Sequence, residues 1–162
     1  MQDIAPTIKY VVPVMQKDAV VQSVEISTIA HATDDPDKVQ LALHNLLPES
    51  LRERQLFTRR YVEGHHGNPI VTFDARLTRP AEGEALAKHV ISRLSRSERM
   101  LIVRDLALHV DDEGNLYVRV DKQQAFRRAV ELSDEDPIRV RIKFNRLRGT
   151  VERLMRDFLE SE

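Results

Sequence analysis

The stretch Ile70-Val71-Thr72-Phe73-Asp74-Ala75-Arg76-Leu77-Thr78 alternates between apolar and polar side chains. In an extended chain successive side chains point to opposite faces, so Val71, Phe73, Ala75 and Leu77 share one side and Thr72, Asp74 and Arg76 the other. A strand of this kind belongs to a sheet that is wetted on one face and covered on the other, as antiparallel sheets commonly are. A layer of helices is therefore expected behind it.

Working outward, a second β-rich run, Leu56 to Glu63, precedes this strand. The two are joined by Gly64-His65-His66-Gly67-Asn68-Pro69, whose glycines and Asn-Pro favour a turn, so the pair reads as a hairpin. Further upstream Val24, Ile26, Thr28 and Ala30 line one face of a strand. A helix then opens on Asp35 as N-cap with Pro36 at its first position, carries Val39, Leu43, Leu46 and Leu47 on one stripe, and stops at Pro48. The short β-prone run Ile8 to Val14, within residues 1–21, reads as an extra edge strand or an arm.

Downstream, Glu82 to Leu94 places Leu86, Val90, Ile91 and Leu94 on one helical face, and a shorter helix begun by Ser97 carries Met100 and Leu101. Leu106, Leu108 and Val110 alternate into the turn Asp111 to Asn115, and Leu116, Val118 and Val120 alternate out of it, which predicts a second hairpin bent at Gly114. A short helix over Lys122 to Ala129 leads to a last strand in which Ile138, Val140, Ile142 and Phe144 alternate with Arg139, Arg141 and Lys143. The C-terminal helix, within residues 146–162, aligns Leu147, Val151, Leu154, Met155 and Phe158 for docking on the core or on a second subunit, which leaves a homodimer open. The expected class is α+β, with a mainly antiparallel sheet covered by helices on one face. The 162 residues are read as a single domain.

Charge is balanced in total and unequal in place. Net charge is −1, from 25 Lys and Arg against 26 Asp and Glu, so any pull on a polyanion has to be local. Between Ile138 and Arg156 lie seven basic residues and one acid, Glu152, while acids gather in turns at Asp34 to Asp37, Asp111 to Glu113 and Asp134 to Asp136. Hydrophobic residues at 41% and charged residues at 31% suit a soluble globular chain. Without cysteine there are no disulfides or thiolate metal sites, which fits the cytoplasm. The apolar run Tyr10 to Met15 is broken by Pro13 and is too short to span a membrane, so no membrane partner is expected.

Three segments, in order, resemble a known family: Gly64-His65-His66-Gly67-Asn68-Pro69-Ile70, Gly114-Asn115-Leu116-Tyr117-Val118-Arg119-Val120-Asp121-Lys122-Gln123, and Asp136-Pro137-Ile138-Arg139-Val140-Arg141-Ile142-Lys143. Together with His31-Ala32-Thr33-Asp34-Asp35 and the helix that follows, they are similar to an archaeal RNA-binding family of predicted exosome subunits, over about residues 22 to 145. The resemblance implies a fold like that of the ribosomal protein that cradles 5S ribosomal RNA, RNA as the partner, and a place near exosome or ribosomal components. Phe126, Arg127 and Arg128 depart from the family pattern, where a tyrosine and a less basic stretch are more typical.

Read as chemistry, Arg139, Arg141 and Lys143 repeat at ~6.6 Å along their strand, close to the phosphate spacing of a single strand, although the same pattern also describes a solvated sheet face. Arg119 and Lys122 bracket Asp121 and extend that surface, with Asp121 the cap of the short helix. His65, His66 and Asn68 occupy a turn whose amides and rings suit phosphate or base, and which is equally a plain good turn. Tyr61 and Tyr117 are available for stacking. Arg59 and Arg60 face opposite ways, so one of them must snorkel or find a carboxylate. Adjacent histidines seldom converge on one ion, so no metal or other cofactor is expected. With no Walker loop, dinucleotide fingerprint, nucleophile elbow or zinc-protease helix, no catalytic residue is assigned. The expectation is a non-catalytic RNA-binding module, with a protein-interaction module as the alternative.

Overall fold

The computed structural model describes residues 19–161, and the run Ile8 to Val14 lies outside them. Five strands form one sheet: β1 Val21–Ala30, β2 Thr58–Glu63, β3 Pro69–Leu77, β4 Leu116–Val120 and β5 Ile138–Phe144. They lie in the order β2-β3-β1-β5-β4, and every pairing is antiparallel. β1 thus occupies the middle, paired on both sides.

Period-two patterning decides which face is covered. Val24, Ile26, Thr28 and Ala30 of β1 are buried, as are Val71, Phe73, Ala75 and Leu77 of β3 and Ile138, Val140, Ile142 and Phe144 of β5. The one polar member, Thr28, satisfies its hydroxyl by donating to the Pro137 carbonyl at 3.1 Å. Helices α1 Pro36–Asn45, α2 Pro80–Arg93, α3 Arg96–Arg104 and α5 Val151–Glu160 share one buried core with this face: α2 and α5 contact the strands, α3 packs on α5, and the short α4 Lys122–Phe126 rests on α1. Each Leu, Ile or Phe buried in this way contributes ~1.5–3 kcal/mol, so the inward stripes hold the layers together.

The caps follow local chemistry. Asp35 accepts from the Asp37 amide with Pro36 behind it, and Asp121 accepts from the Gln124 amide. α3 starts at Arg96, one residue before Ser97, because Ser95 and Glu98 form a reciprocal capping box. Its inward side chains are Ile102 and Val103, and Met100 and Leu101 are exposed instead. Glu84 of α2 accepts from the Val20 and Val21 amides and so ties the start of β1 to the helix layer.

Two further expectations change. Leu106–His109 forms a 3₁₀ turn rather than a strand, and the second hairpin keeps only the Val110–Leu116 bridge of its first arm. Leu108, 75% exposed, points away from the core. The C-terminal helix begins at Val151 and buries Leu154, Met155, Phe158 and Leu159 in the chain's own core, with Phe158 edge-on to Phe144 at 5.6 Å. Leu147 lies before it, 94% exposed, and is not part of the stripe. Among the described residues, no helix is long and apolar enough to cross a membrane.

Candidate nucleic-acid interface

The strand registers assemble the uncovered face row by row. One cross-strand row is Thr58, Asp74, Ser27, Arg139, Arg119, and the next is Arg76, Glu25, Arg141, Tyr117. Arg60 lies outward on β2 opposite Thr72, and Lys143 outward on β5 opposite Ser23. The strands therefore present Arg60, Arg76, Arg119, Arg139, Arg141 and Lys143 on this face against two acids, Glu25 and Asp74.

The cations are not equivalent. Arg141 is held by Glu25 at 3.2 Å, Asp111 at 3.4 Å and Glu113 at 3.4 Å, and Glu25 also takes Arg76 at 3.4 Å. Burial alone would lower the Arg141 pKa, but the hydrogen bond it donates to Glu25 and the surrounding negative charge raise it, so this guanidinium stays firmly cationic. Asp111 shows the mirror effect. Burial pushes its carboxyl up, yet hydrogen bonds from the Asn115 amide and side chain and the Glu113 amide, with Arg141 nearby, hold it below its ordinary range.

Arg139 and Arg119 stand directly opposite each other on β5 and β4. Neither has an acidic partner among the described residues, although Arg119 lies 5.1 Å from the Tyr117 ring. Like charges directly opposed in a sheet oppose its pairing, so this pair is costly unless an anion sits over it. Lys143 and Arg60 also have no acidic partner among the described residues.

Lys122 has a different place. Its side chain is 11% exposed, with Nζ donating to the Ile29 carbonyl at 2.6 Å and paired with Asp136 at 2.6 Å and Asp34 at 3.4 Å. His31 closes the cluster, its Nε2 lying 3.0 Å from Asp136. Lys122 therefore binds the end of β1 to the loop before β5 and to α4, and its charge is already satisfied. Asp121 is the helix cap, as the bracket of Arg119 and Lys122 suggested.

The β2–β3 turn lies at the same end of the sheet as this cluster, since Ala30 pairs with Val71 and Glu63 with Pro69. His65, His66 and Asn68 are exposed, and the two rings are 5.6 Å apart and tilted by 46°. His66 adopts φ 60° and Gly67 φ 74°, a tight reversal closed by the Gly64 amide on the Asn68 carbonyl at 2.7 Å. Of the two arginines on β2, Arg59 points toward the helix side and finds Asp37 at 3.1 Å and Gln40 at 3.0 Å. The bond to Asp37 keeps the Arg59 pKa above its ordinary value. Tyr61 shares that side, exposed at the sheet edge, and Tyr117 lies on the outer face.

The candidate surface thus comprises the outer face of β4 and β5 with Arg60 across the sheet, and the histidine turn at one end. Sequence parity located the β5 cations. It could not show which of them are neutralised, because Glu25 and Glu113 come from other elements. It also missed the groove between α1 and α4 that adjoins the Lys122 cluster.

The sequence matches a protein family described as RNA binding over residues 23–144. It is 34% identical over 145 residues to the RNA-binding protein PAB1135 of Pyrococcus abyssi, covering 86% of this chain and 94% of that protein. Among solved structures, SSO0741 from Sulfolobus solfataricus is similar with a TM-score of 0.67 at 27% identity, over 83% of this chain and 98% of that one. Mth689 from Methanothermobacter thermautotrophicus, a DUF54 protein, is similar with a TM-score of 0.64 at 27% identity, over 87% and 99%. A match over most of the chain, joined to this degree of identity to a protein named for RNA binding, fixes the relationship: the chain belongs to the RNA-binding family.

Proposed function

We propose that the chain is a non-catalytic module that binds RNA through the outer face of its sheet. The carrying observation is the Arg119–Arg139 pair, two cations in register with no acid between them. Arg139, Arg119, Lys143 and Arg60 contact phosphates, and His65, His66 and Asn68 extend the surface at one end. Arg141 stays on the surface but shares its charge with Glu25, Asp111 and Glu113. Lys122 shapes the rim from within its ion cluster. The family match supports RNA over other polyanions. The sequence resemblance supports the finer reading: a cytoplasmic accessory, folded like the ribosomal protein that cradles 5S ribosomal RNA, serving the exosome or another RNA-processing or ribosomal particle.

The test is RNA affinity as a function of salt. For Z phosphate contacts on a single strand the slope of log K against log salt is about −0.7Z. Arg139→Ala with Lys143→Ala is expected to make that slope shallower by about 1.4, if each side chain holds one phosphate, and to weaken binding at low salt. An unchanged slope would remove the sheet face from the reading.

A second reading, a protein-docking module, is favoured by one observation: Leu108 and Leu147 are 75% and 94% exposed. The α5 stripe does not serve it, because that stripe is buried in the chain's own core. Replacing both leucines by serine separates the readings, since RNA affinity stays and assembly into a larger particle is lost only if these side chains dock.

A further inference from the structure

A groove of about 410 Å³ opens between the first turn of α1 and α4, beside the end of the sheet. That size lies within the ~300–1,000 Å³ of clefts that hold small ligands. Phe126, a residue 38% exposed, forms one wall, with the Lys38 ammonium 5.9 Å from its ring centroid. Arg127 flanks it, and Gln123 and Thr33 add an amide and a hydroxyl.

The two acids that share the groove are already engaged. Asp34 is paired with Lys122, and Asp35 caps α1 through the Asp37 amide. Lys38 and Arg127 have no acidic partner among the described residues, and the lining carries three cations, Lys38, Lys122 and Arg127, against two carboxylates, Asp34 and Asp35.

The wall carrying Phe126 and Arg127 is held in place from behind. Arg128 adopts φ 67° where α4 ends, its amide on the Ala125 carbonyl at 3.0 Å and the Ala129 amide on the Gln124 carbonyl at 2.8 Å. Arg93 fixes this turn by donating to the Arg128 carbonyl and, at 3.3 Å, to the Asn45 carbonyl. Asn45 in turn donates to the Ala125 and Phe126 carbonyls at 3.1 Å each. Side chains from α1 and α2 thus converge to hold the backbone behind one partly exposed ring and one free cation.

The groove also continues the proposed RNA face. Lys122 and Asp34 line it, and Lys122 bonds the carbonyl of Ile29, whose side chain is exposed on the outer face. We infer that this groove is a nucleotide subsite, in which one unstacked base of an RNA strand lies on the Phe126 ring while Lys38 and Arg127 take its phosphates. This rests on RNA crossing the sheet. A base in the groove would displace or sandwich the Lys38 ammonium, and Gln123 would meet its polar edge. Stacking is tolerant of base identity, because every base offers a π-face.

The experiment compares two single-stranded RNA 12-mers with identical phosphates, one complete and one abasic at alternate positions, at low salt. The complete strand is expected to bind at least about fivefold tighter, the lower end for one stacked base. Phe126→Leu should bring this ratio toward one while leaving the abasic strand's affinity unchanged, and Phe126→Tyr, which keeps the ring, should preserve the ratio. Arg139→Ala with Lys143→Ala should weaken both strands alike. A ratio unaffected by Phe126→Leu overturns the groove and leaves the sheet reading intact. Loss of the ratio in Phe126→Leu, with both strands indifferent to the β5 double variant, keeps the groove and overturns the sheet. If neither strand binds the wild-type chain, both fall. Should Phe126→Leu fail to fold, a ratio lost in Phe126→Tyr overturns the inference, and a ratio kept in Phe126→Tyr with both affinities lowered in Arg127→Ala supports it.

Discussion

Glu25 lies between two arginines of the outer face and pairs with both, Arg141 at 3.2 Å and Arg76 at 3.4 Å. Its carboxylate lowers the positive potential where a phosphate would sit, and it also fixes the orientation of the two guanidinium groups. Coulombic release and lost orientation act in opposite directions. On a partly exposed surface an ion pair is worth ~0–1 kcal/mol, so the gain in free positive charge is expected to win. Glu25→Gln should therefore raise RNA affinity roughly two- to fivefold at low salt, and the advantage should vanish as salt screens the face. Fluorescence anisotropy with a labelled RNA strand at several salt concentrations reads this directly. A loss of affinity would mean that Glu25 acts as an organiser of Arg76 and Arg141 and not as a brake on them.

At the scale of elements, the turn before β4 shows how local chemistry supports the face. Asp111 accepts from the Glu113 amide at 2.9 Å, the Asn115 amide at 2.9 Å and the Asn115 side chain at 3.1 Å, and Gly114 makes the bend with φ 79°. Asn115 is buried, so the loss of its acceptor leaves donors without partners. Asp111→Ala is expected to destabilise the chain by about 1–3 kcal/mol in urea unfolding. A change near zero would show that water replaces the carboxylate. The long strands and α1 were legible in the sequence because period two and an Asp-Pro start leave few alternatives. Leu106 to Val110 was not, since five residues satisfy both an alternating strand and a 3₁₀ turn, and only packing leaves Leu108 in solvent. The start of α3 carried its signal in Ser95 and Glu98, three apart, which outweighed Ser97. For the site, strand parity gave the direction of Arg139, Arg141 and Lys143. Their neutralisation was hidden, because Glu25 is 116 positions from Arg141 and Glu113 is 28. The groove at Phe126 was equally hidden, because only the tertiary fold lays α1 beside α4.

Across the whole molecule a net charge of −1 conceals a separation in which cations face outward from the sheet and acids cluster in its turns. Histidines on other elements report how this charge is distributed. His89 on α2 is pushed below its ordinary value of 6.5 by burial and then by Arg93 and Arg52, and its Nε2 is buried without a hydrogen-bond partner among the described residues. His109 is lowered by burial and by Arg119, against opposing contributions from Asp134 and Asp105. Both rings are therefore easier to protonate in the unfolded chain than in the folded one. Below pH 6.5 the unfolded state takes up more protons, and stability falls as the pH drops through the window between 6.5 and the lower folded-state values. Asp111 acts further down: its depressed pKa contributes stability above its ordinary value of 3.8, lost as the pH falls through the folded-state value. The urea midpoint should therefore be level above neutrality and decline as the pH falls below 6.5, and His89→Gln with His109→Gln should flatten that decline. RNA bound over Arg119 would place negative charge near His109, raise its affinity for a proton and reduce its share of the decline. A urea midpoint that does not move between pH 7.5 and 5.5 would show that neither ring is shielded as its surroundings require. A decline that persists undiminished in the double variant would assign the acid sensitivity to other groups.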